Sequence, residues 1–271
     1  IHFDIDKSEH NKNVFAHFPI QTDIKYALGR LCELAKETNF KKPHLKKWLA
    51  RINKWKKEHP FTYEKGEHIS SQEAIEALYE ESKGEAIITT GVGQHQMWAA
   101  QHLSFNHSDT FVSSGGLGAM GFELPAALGA QIGKPGAPVW SVAGDGGFQM
   151  TLQELVTLSE EKLPVKIALI NNGYLGMVKQ WQEMYFDGHL KAVPISGPDF
   201  IKLAEAYGVG AVRVTEYENV LPALRQAQDH DGPFLIEFVV DSTTNVYPMV
   251  PPGGSLADTI EDPAMASNPV A

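Results

Sequence analysis

Two short runs in the chain carry side chains suited to holding a cation and an anionic ligand together. Gly144-Asp145-Gly146-Gly147 follows the apolar run Val139–Ala143, and Asn171-Asn172-Gly173 closes the apolar run Val165–Asn171. Asp145 and Asn172 lie 27 positions apart, the length of one crossover between parallel strands through a helix. Mg²⁺ takes hard oxygen ligands in an octahedral array. A carboxylate, an amide carbonyl and a backbone carbonyl supply part of that array, and diphosphate oxygens with water complete it. A neutral Asn beside the Asp limits the protein's own negative charge, so a diphosphate is not repelled. The glycines let the backbone approach the phosphates and leave amides free to donate. Taken singly, Asp-Gly and Asn-Gly are ordinary turn dipeptides. Taken together, each next to an apolar strand, they point to a cation–diphosphate site.

The elements that must position these runs are legible as alternation. The pattern predicts strands at Ala86–Thr90, Thr110–Val112, Val139–Ala143, Val165–Asn171, Ala211–Val214 and Phe234–Val240. It predicts helices at Gln96–His102, Gly121–Ile132, Met150–Glu161, Phe200–Tyr207 and Val220–Gln228, with Leu152, Leu155 and Val156 inward on the third. Such alternation implies an α/β fold, a parallel sheet with helices on both faces. Right-handed crossovers put every strand-to-helix loop at one sheet edge, where ligands bind. Four stretches are expected: 1–35 with a strand and a short helix, a linker helix over 36–60, a central domain over 61–245, and a tail over 246–271.

The linker is basic, with nine Lys or Arg against one acid between Lys36 and Lys57. Leu45, Trp48, Leu49, Ile52 and Trp55 recur there at helical spacing, so the lysines read as the solvated face of an amphipathic helix. The formal net charge of -10 argues against a nucleic-acid partner. With 271 residues and 43% hydrophobic content the chain can bury a sizeable core. No apolar run is long enough to span a membrane, and the one cysteine, Cys32, excludes a disulfide framework. The histidines show no metal-ligand spacing such as HExxH. The chain begins at Ile1 with a strand already in progress, which reads as a fragment whose upstream part lies elsewhere.

GDGGFQMTLQEL and INNGYLGMV together resemble the thiamine-diphosphate motif, which opens with GDG and closes with NN. Further strings narrow the likeness: TTGVGQHQMWAAQH (Thr89–His102), SSGGLGAMGFELPAALGAQIG (Ser113–Gly133), GMVKQWQEMYF (Gly176–Phe186) and VYPMVPPGGSL (Val246–Leu256). These are similar to the C-terminal half of the catalytic, large subunit in the acetohydroxyacid synthase (acetolactate synthase) family. The resemblance implies the thiamine-diphosphate-binding fold, preceded by the end of a middle α/β domain. It implies Mg²⁺ bound by the Asp145 and Asn172 side chains and the Tyr174 carbonyl. It places Val92, Gly93, Gln94, His95, Gln96, Gly118, Met120, Gly144, Gly146, Gly147, Leu175, Gly176 and Met177 around thiamine diphosphate. Met120 would sit beneath the cofactor and hold its rings close, with Gln96 and Met177 beside the reacting centre. Gly176 and Met177 would close a loop over the ring, and Val178 and Trp181 would line the substrate channel. HFDIDKSEHNKNVFAHFPIQTDIKYAL resembles the end of the family's FAD-binding domain, with Asp4, Ile5, Asp23 and Ile24 near the flavin. One residue departs from the pattern: Glu123 stands where a small residue, usually Gly, is expected.

The implied activity is decarboxylation of pyruvate and ligation of the remaining two-carbon unit to a second 2-keto acid, pyruvate or 2-ketobutyrate, in branched-chain amino-acid biosynthesis. The Glu that starts this chemistry in the family lies in an N-terminal domain, and no matching segment is present. The fragment alone is therefore expected to turn over little. Expected partners are further copies, as homodimer or homotetramer, and a regulatory small subunit. The expected location is cytoplasmic, or a plastid or mitochondrion in a eukaryote. Two other readings stand beside this one: a flavin-free catabolic acetolactate synthase or pyruvate oxidase, and a non-catalytic module in which the loops survive as scaffold.

Overall fold

The computed structural model describes residues 1–41, 43–63 and 65–263. Contacts divide the chain into two compact units, Ile1–Pro60 and Phe61–Ala271. The first holds strands β1 (His2–Asp4) and β2 (Pro19–Gln21) and helices α1 (Ile24–Glu37) and α2 (Lys46–Glu58). The two strands pair in parallel, with Asp4 opposite Gln21. Asp23 caps α1 by accepting from the Lys25 and Tyr26 amides at 2.9 and 3.2 Å. At 14 residues α1 is longer than the short helix expected and runs past position 35. The periodicity of the basic stretch does form a helix, but none of the residues in α2 is buried. Trp48 and Trp55 meet edge to face at 5.7 Å, and their face stays open.

The second unit is the α/β layer structure. In chain order it contains α3 (Ser71–Glu81), β3 (Ile87–Thr90), α4 (Gln94–His102), β4 (Phe111–Ser113), α5 (Glu123–Gly133), β5 (Val139–Gly144) and α6 (Asp145–Thr151). There follow α7 (Leu155–Glu160), β6 (Lys166–Asn171), α8 (Gly176–Tyr185), α9 (Phe200–Ala206), β7 (Gly210–Val214), α10 (Val220–Asp229) and β8 (Phe234–Val239). Its six strands are parallel, in the order β4-β3-β5-β6-β8-β7. Burial on both faces explains why the central strands read as near-continuous apolar runs. Along β5 and β6 the side chains alternate between two cores. Trp140, Val142, Ala168 and Ile170 join Ile75, Leu78, Trp98 and Leu224 on one face. Val139, Ala143, Ile167 and Leu169 join Leu124, Phe148, Leu155 and Phe200 on the other.

Three elements differ from the expectation. The helix expected over Met150–Glu161 starts at Asp145, the first residue after β5, and breaks at Thr151, whose dihedrals (φ -134°, ψ 19°) leave the helical region before α7 restarts. The glycine-rich start concealed it, since Gly lowers helix propensity. Gly176 and Met177, expected in a loop, are the first turn of α8. Helix α3 was not anticipated, although Ser70 and Glu73 form a reciprocal capping box that its sequence spells out.

Candidate active site

Adjacency of β5 and β6, with Gly144 opposite Ile170, brings the two chemistry-bearing runs out of the sheet side by side. Asp145 ties them together. Its Oδ2 accepts from the Gly173 amide at 2.9 Å and its Oδ1 from the Gly146 amide at 3.0 Å. Burial pushes the Asp145 carboxyl up to about 6, against the pull of the Gly146 and Gly173 amides, and Glu237 adds to the rise. Asn172 Oδ1 accepts from the Tyr174 amide at 3.0 Å, while its Nδ2 donates to Gln94 Oε1 at 3.4 Å. The turn between them needs a left-handed residue, supplied by Gly173 at φ 71°. Behind the turn, Asn171 Nδ2 donates to the buried Glu237 at 2.7 Å, and Glu237 is paired with Arg213 at 2.7 Å. Sequence reading missed Glu237 and Arg213, because partners on neighbouring strands carry no local signal.

Asp145, Asn172, Tyr174 and Gln94 border a mainly apolar cavity of about 340 Å³. The loop after β3 contributes Val92 and Gly93, and the start of α4 contributes Gln94, His95 and Gln96; the β5–α6 junction contributes Gly144, Asp145, Gly146 and Gly147; the β6–α8 segment contributes Asn172, Tyr174, Leu175, Gly176, Met177 and Val178; and Met120 closes one wall. Met97, Trp98 and Ile170 also line it and were not anticipated. Two expected members lie apart from that lining. Gly118 sits at φ 68° in a loop whose Leu117 is 98% exposed. Trp181 packs edge to face on Tyr185 at 5.6 Å, on the outer side of α8. Gln96 turns its Nε2 to Ser113 at 2.7 Å. In the first unit Asp4 ends one of two paired strands with Ile5 next to it, and Asp23–Ile24 lie just beyond the other. Asp4 Oδ1 there accepts from the Asp6 amide at 2.8 Å, and Asp23 is committed to its helix cap.

The cavity wall fits a bulky anionic ligand with a cation. A Cβ on Gly144 would come within 2.8 Å of His95 Nδ1, and one on Gly146 within 2.9 Å of Leu175. Only glycine leaves the backbone bare at this edge. His95 is buried, and its Nε2 has no hydrogen-bond partner among the described residues. Burial lowers its pKa to about 4, so the ring is neutral and Nε2 awaits a partner. A larger cavity of about 590 Å³ lies next to it, near the C-terminal end of α4. Its wall mixes Lys65 and His68 with Glu67 and Asp241 and contains neither the Asp145 nor the Asn172 loop, so the smaller cavity is the candidate site.

Glu123, the departure noted above, is fully buried at the start of α5. Its carboxyl fills the space over Gly91 and Gly147, and neither oxygen has a hydrogen-bond partner among the described residues. Burial pushes it up to about 7. A carboxyl that keeps its proton well above the usual carboxylate range thus replaces the expected small side chain.

Parallel sheet, edge cavity and paired Asp and Asn loops define a cofactor-binding α/β domain of the thiamine-diphosphate class. Residues 91–238 match the family model described as thiamine pyrophosphate enzyme, C-terminal TPP binding domain, and the chain belongs to that family. It is 43% identical over 266 residues to the acetolactate synthase large subunit of Corynebacterium glutamicum, a match that covers 95% of this chain and 42% of the relative. It is 40% identical to acetolactate synthase 1, chloroplastic, of Oryza sativa subsp. japonica, covering 97% and 42%. The corresponding figures for the Nicotiana tabacum acetolactate synthase 1, chloroplastic, are 41%, 97% and 41%. The chain therefore spans less than half the length of these curated relatives. Among the described residues no helix is long and apolar enough to cross a membrane.

Proposed function

We propose that this chain forms the diphosphate- and magnesium-binding half of an acetolactate synthase, acting on pyruvate and a second 2-keto acid such as 2-ketobutyrate. The observation that carries the reading is the meeting of Asp145 and Asn172 at one wall of the cavity, tied through Gly173. Likeness to relatives named acetolactate synthase supports the choice of reaction. The Asp145 carboxylate, the Asn172 side-chain carbonyl and the Tyr174 backbone carbonyl are the hard oxygens that would hold Mg²⁺. His95 and the Gly144–Gly147 backbone would face the diphosphate, with His95 Nε2 gaining the partner it lacks. When bound, thiamine diphosphate supplies the electron sink that decarboxylation of a 2-keto acid requires. Met120, Leu175 and Met177 exclude water from the apolar part of the cavity, which strengthens electrostatic interactions inside it. Gln96, through Ser113, is oriented at the neighbouring strand end. Val178 and Trp181 on α8 would border the approach of substrate.

The first unit, with Asp4, Ile5, Asp23 and Ile24 at the ends of paired strands, is read as the closing part of an FAD-binding domain. Assembly as a dimer or tetramer, with a regulatory small subunit, belongs to the same reading. The location would be the cytoplasm or, in a eukaryote, an organelle. The catalytic Glu expected for this chemistry has no counterpart among these residues, so the 271-residue chain alone should produce little acetolactate. Calorimetry of thiamine diphosphate binding with and without Mg²⁺ tests the site. Binding should require Mg²⁺ and weaken more than about a hundredfold in Asp145→Ala, the scale of a lost charged ligand. Equal binding in the presence of a chelator, or in the variant, would defeat the assignment.

A further inference from the structure

We propose that Gln180 and Gln94 form a relay coupling the docking of segment 244–249 to the orientation of the Asn172 carboxamide. This rests on reading Asn172 as a metal ligand. Gln180, on α8, is fully buried and does not line the cavity. Its side chain clasps one backbone unit of the segment: Oε1 accepts from the Val246 amide at 2.8 Å, and Nε2 donates to the Val246 carbonyl at 2.8 Å. A backbone N–H only donates and a carbonyl only accepts, so this amide has one orientation.

The polarity then passes inward. Gln94 Nε2 donates to the same Gln180 Oε1 at 3.0 Å, which turns Gln94 Oε1 the other way. Asn172 Nδ2 donates to that oxygen at 3.4 Å. Asn172 Oδ1 is left facing away from Gln94, where the Tyr174 amide donates to it at 3.0 Å. Val246 and Tyr174 therefore dictate the same setting of three side-chain amides from opposite ends. Reversing any one would set N–H against N–H or oxygen against oxygen, in a place that is buried at Gln94 and Gln180 and half-buried at Asn172.

The segment is gripped at further points. Gln94 Nε2 reaches the Thr244 carbonyl at 3.4 Å, and Asn245 Nδ2 donates to Glu183 on α8 at 2.9 Å. A cation drawn to Asn172 Oδ1 stabilises the relay setting and with it the docked segment. By linkage, the docked segment raises affinity for the cation. Gln180 is thus a positioning residue, acting through Gln94.

Hydrogen–deuterium exchange over 244–249 on the full chain tests the coupling. Without any cofactor, Asn172→Ala should speed exchange in that segment about fivefold, the worth of one net hydrogen bond. Its melting temperature should stay near that of the wild type. Gln180→Glu should speed exchange by a similar factor and weaken Mg²⁺-dependent thiamine diphosphate binding. The double variant should exchange no faster than Gln180→Glu, because both break one chain of contacts. Unchanged exchange in Asn172→Ala, or effects that multiply in the double variant, would overturn the relay. If Gln180→Glu does not fold, the Asn172→Ala comparison alone decides. A wild-type chain that binds no thiamine diphosphate would defeat the cofactor reading, and the cofactor-free exchange arms would still judge the relay.

Discussion

In the first unit Leu45, Trp48, Leu49 and Ile52 recur at helical spacing, and the first three remain 48%, 51% and 51% exposed. In the second unit Val220, Ala223, Leu224 and Ala227 recur at the same spacing along α10, and all four are buried. Both patterns fold as helices with one apolar face. What differs is the partner. Helix α10 lies against β7 and β8, whose Phe234, Ile236 and Phe238 belong to the same core cluster. The two strands of the first unit are three residues each and offer no such surface. Periodicity specifies a helix and a face; burial needs a second layer to receive it.

The comparison can be broken with matched truncations. Leu224→Ala should destabilise the second unit by about 3 kcal/mol, the cost of removing a fully buried side chain, read by denaturant unfolding. An effect well below that would mean the α10 core collapses around the loss.

Ionisable groups sharpen the same contrast. Glu123 is raised from 4.5 to about 7 by burial, so the native state holds its proton more tightly than the unfolded chain. Its stabilising contribution is whole below about pH 4.5 and is lost as pH rises through about 7. Between pH 5 and 8 wild type should lose up to about 3 kcal/mol more than Glu123→Gln. Asp145 shifts in the same direction in both proteins, so the difference isolates Glu123. Parallel pH profiles in urea unfolding would show that the carboxyl is solvated in solution.

Smaller effects belong to the first unit. Asp23→Ala removes the cap of α1 and should cost about 1 kcal/mol, read as faster amide exchange at Lys25 and Tyr26. Trp48→Ala should change stability by less than about 0.5 kcal/mol. A loss several times larger would mean that the α2 face is covered in solution, and the comparison with α10 would fall.

Much of the second unit was legible because its signals are local. Apolar runs bounded by Gly and Asn mark the strands, and their alternation with helical patterns dictates a parallel sheet. The spacing of Asp145 and Asn172 then predicts loops at one edge, which adjacency of β5 and β6 delivers. Boundaries were less legible where one residue serves two purposes. Asp145 is both the site's carboxylate and the first residue of a helix, and Gly176 both borders the cavity and opens α8. The capping box before α3 was present in the sequence as Ser70 and Glu73 and was the signal that could have revealed that helix.

The sequence by itself determined the fold class, the residue types of the two loops proposed to hold metal and diphosphate, and the glycines that keep their backbone bare, since each depends on residue type and short spacing. Only the tertiary structure decided the partners of the buried polar groups. Gln180 and Val246 are 66 positions apart, as are Asn171 and Glu237, and the Glu123 carboxyl is pushed up to about 7 by burial against Gly91 and Gly147. A hydrogen bond between distant residues, or the desolvation of a carboxyl, depends on which surfaces the whole fold brings together.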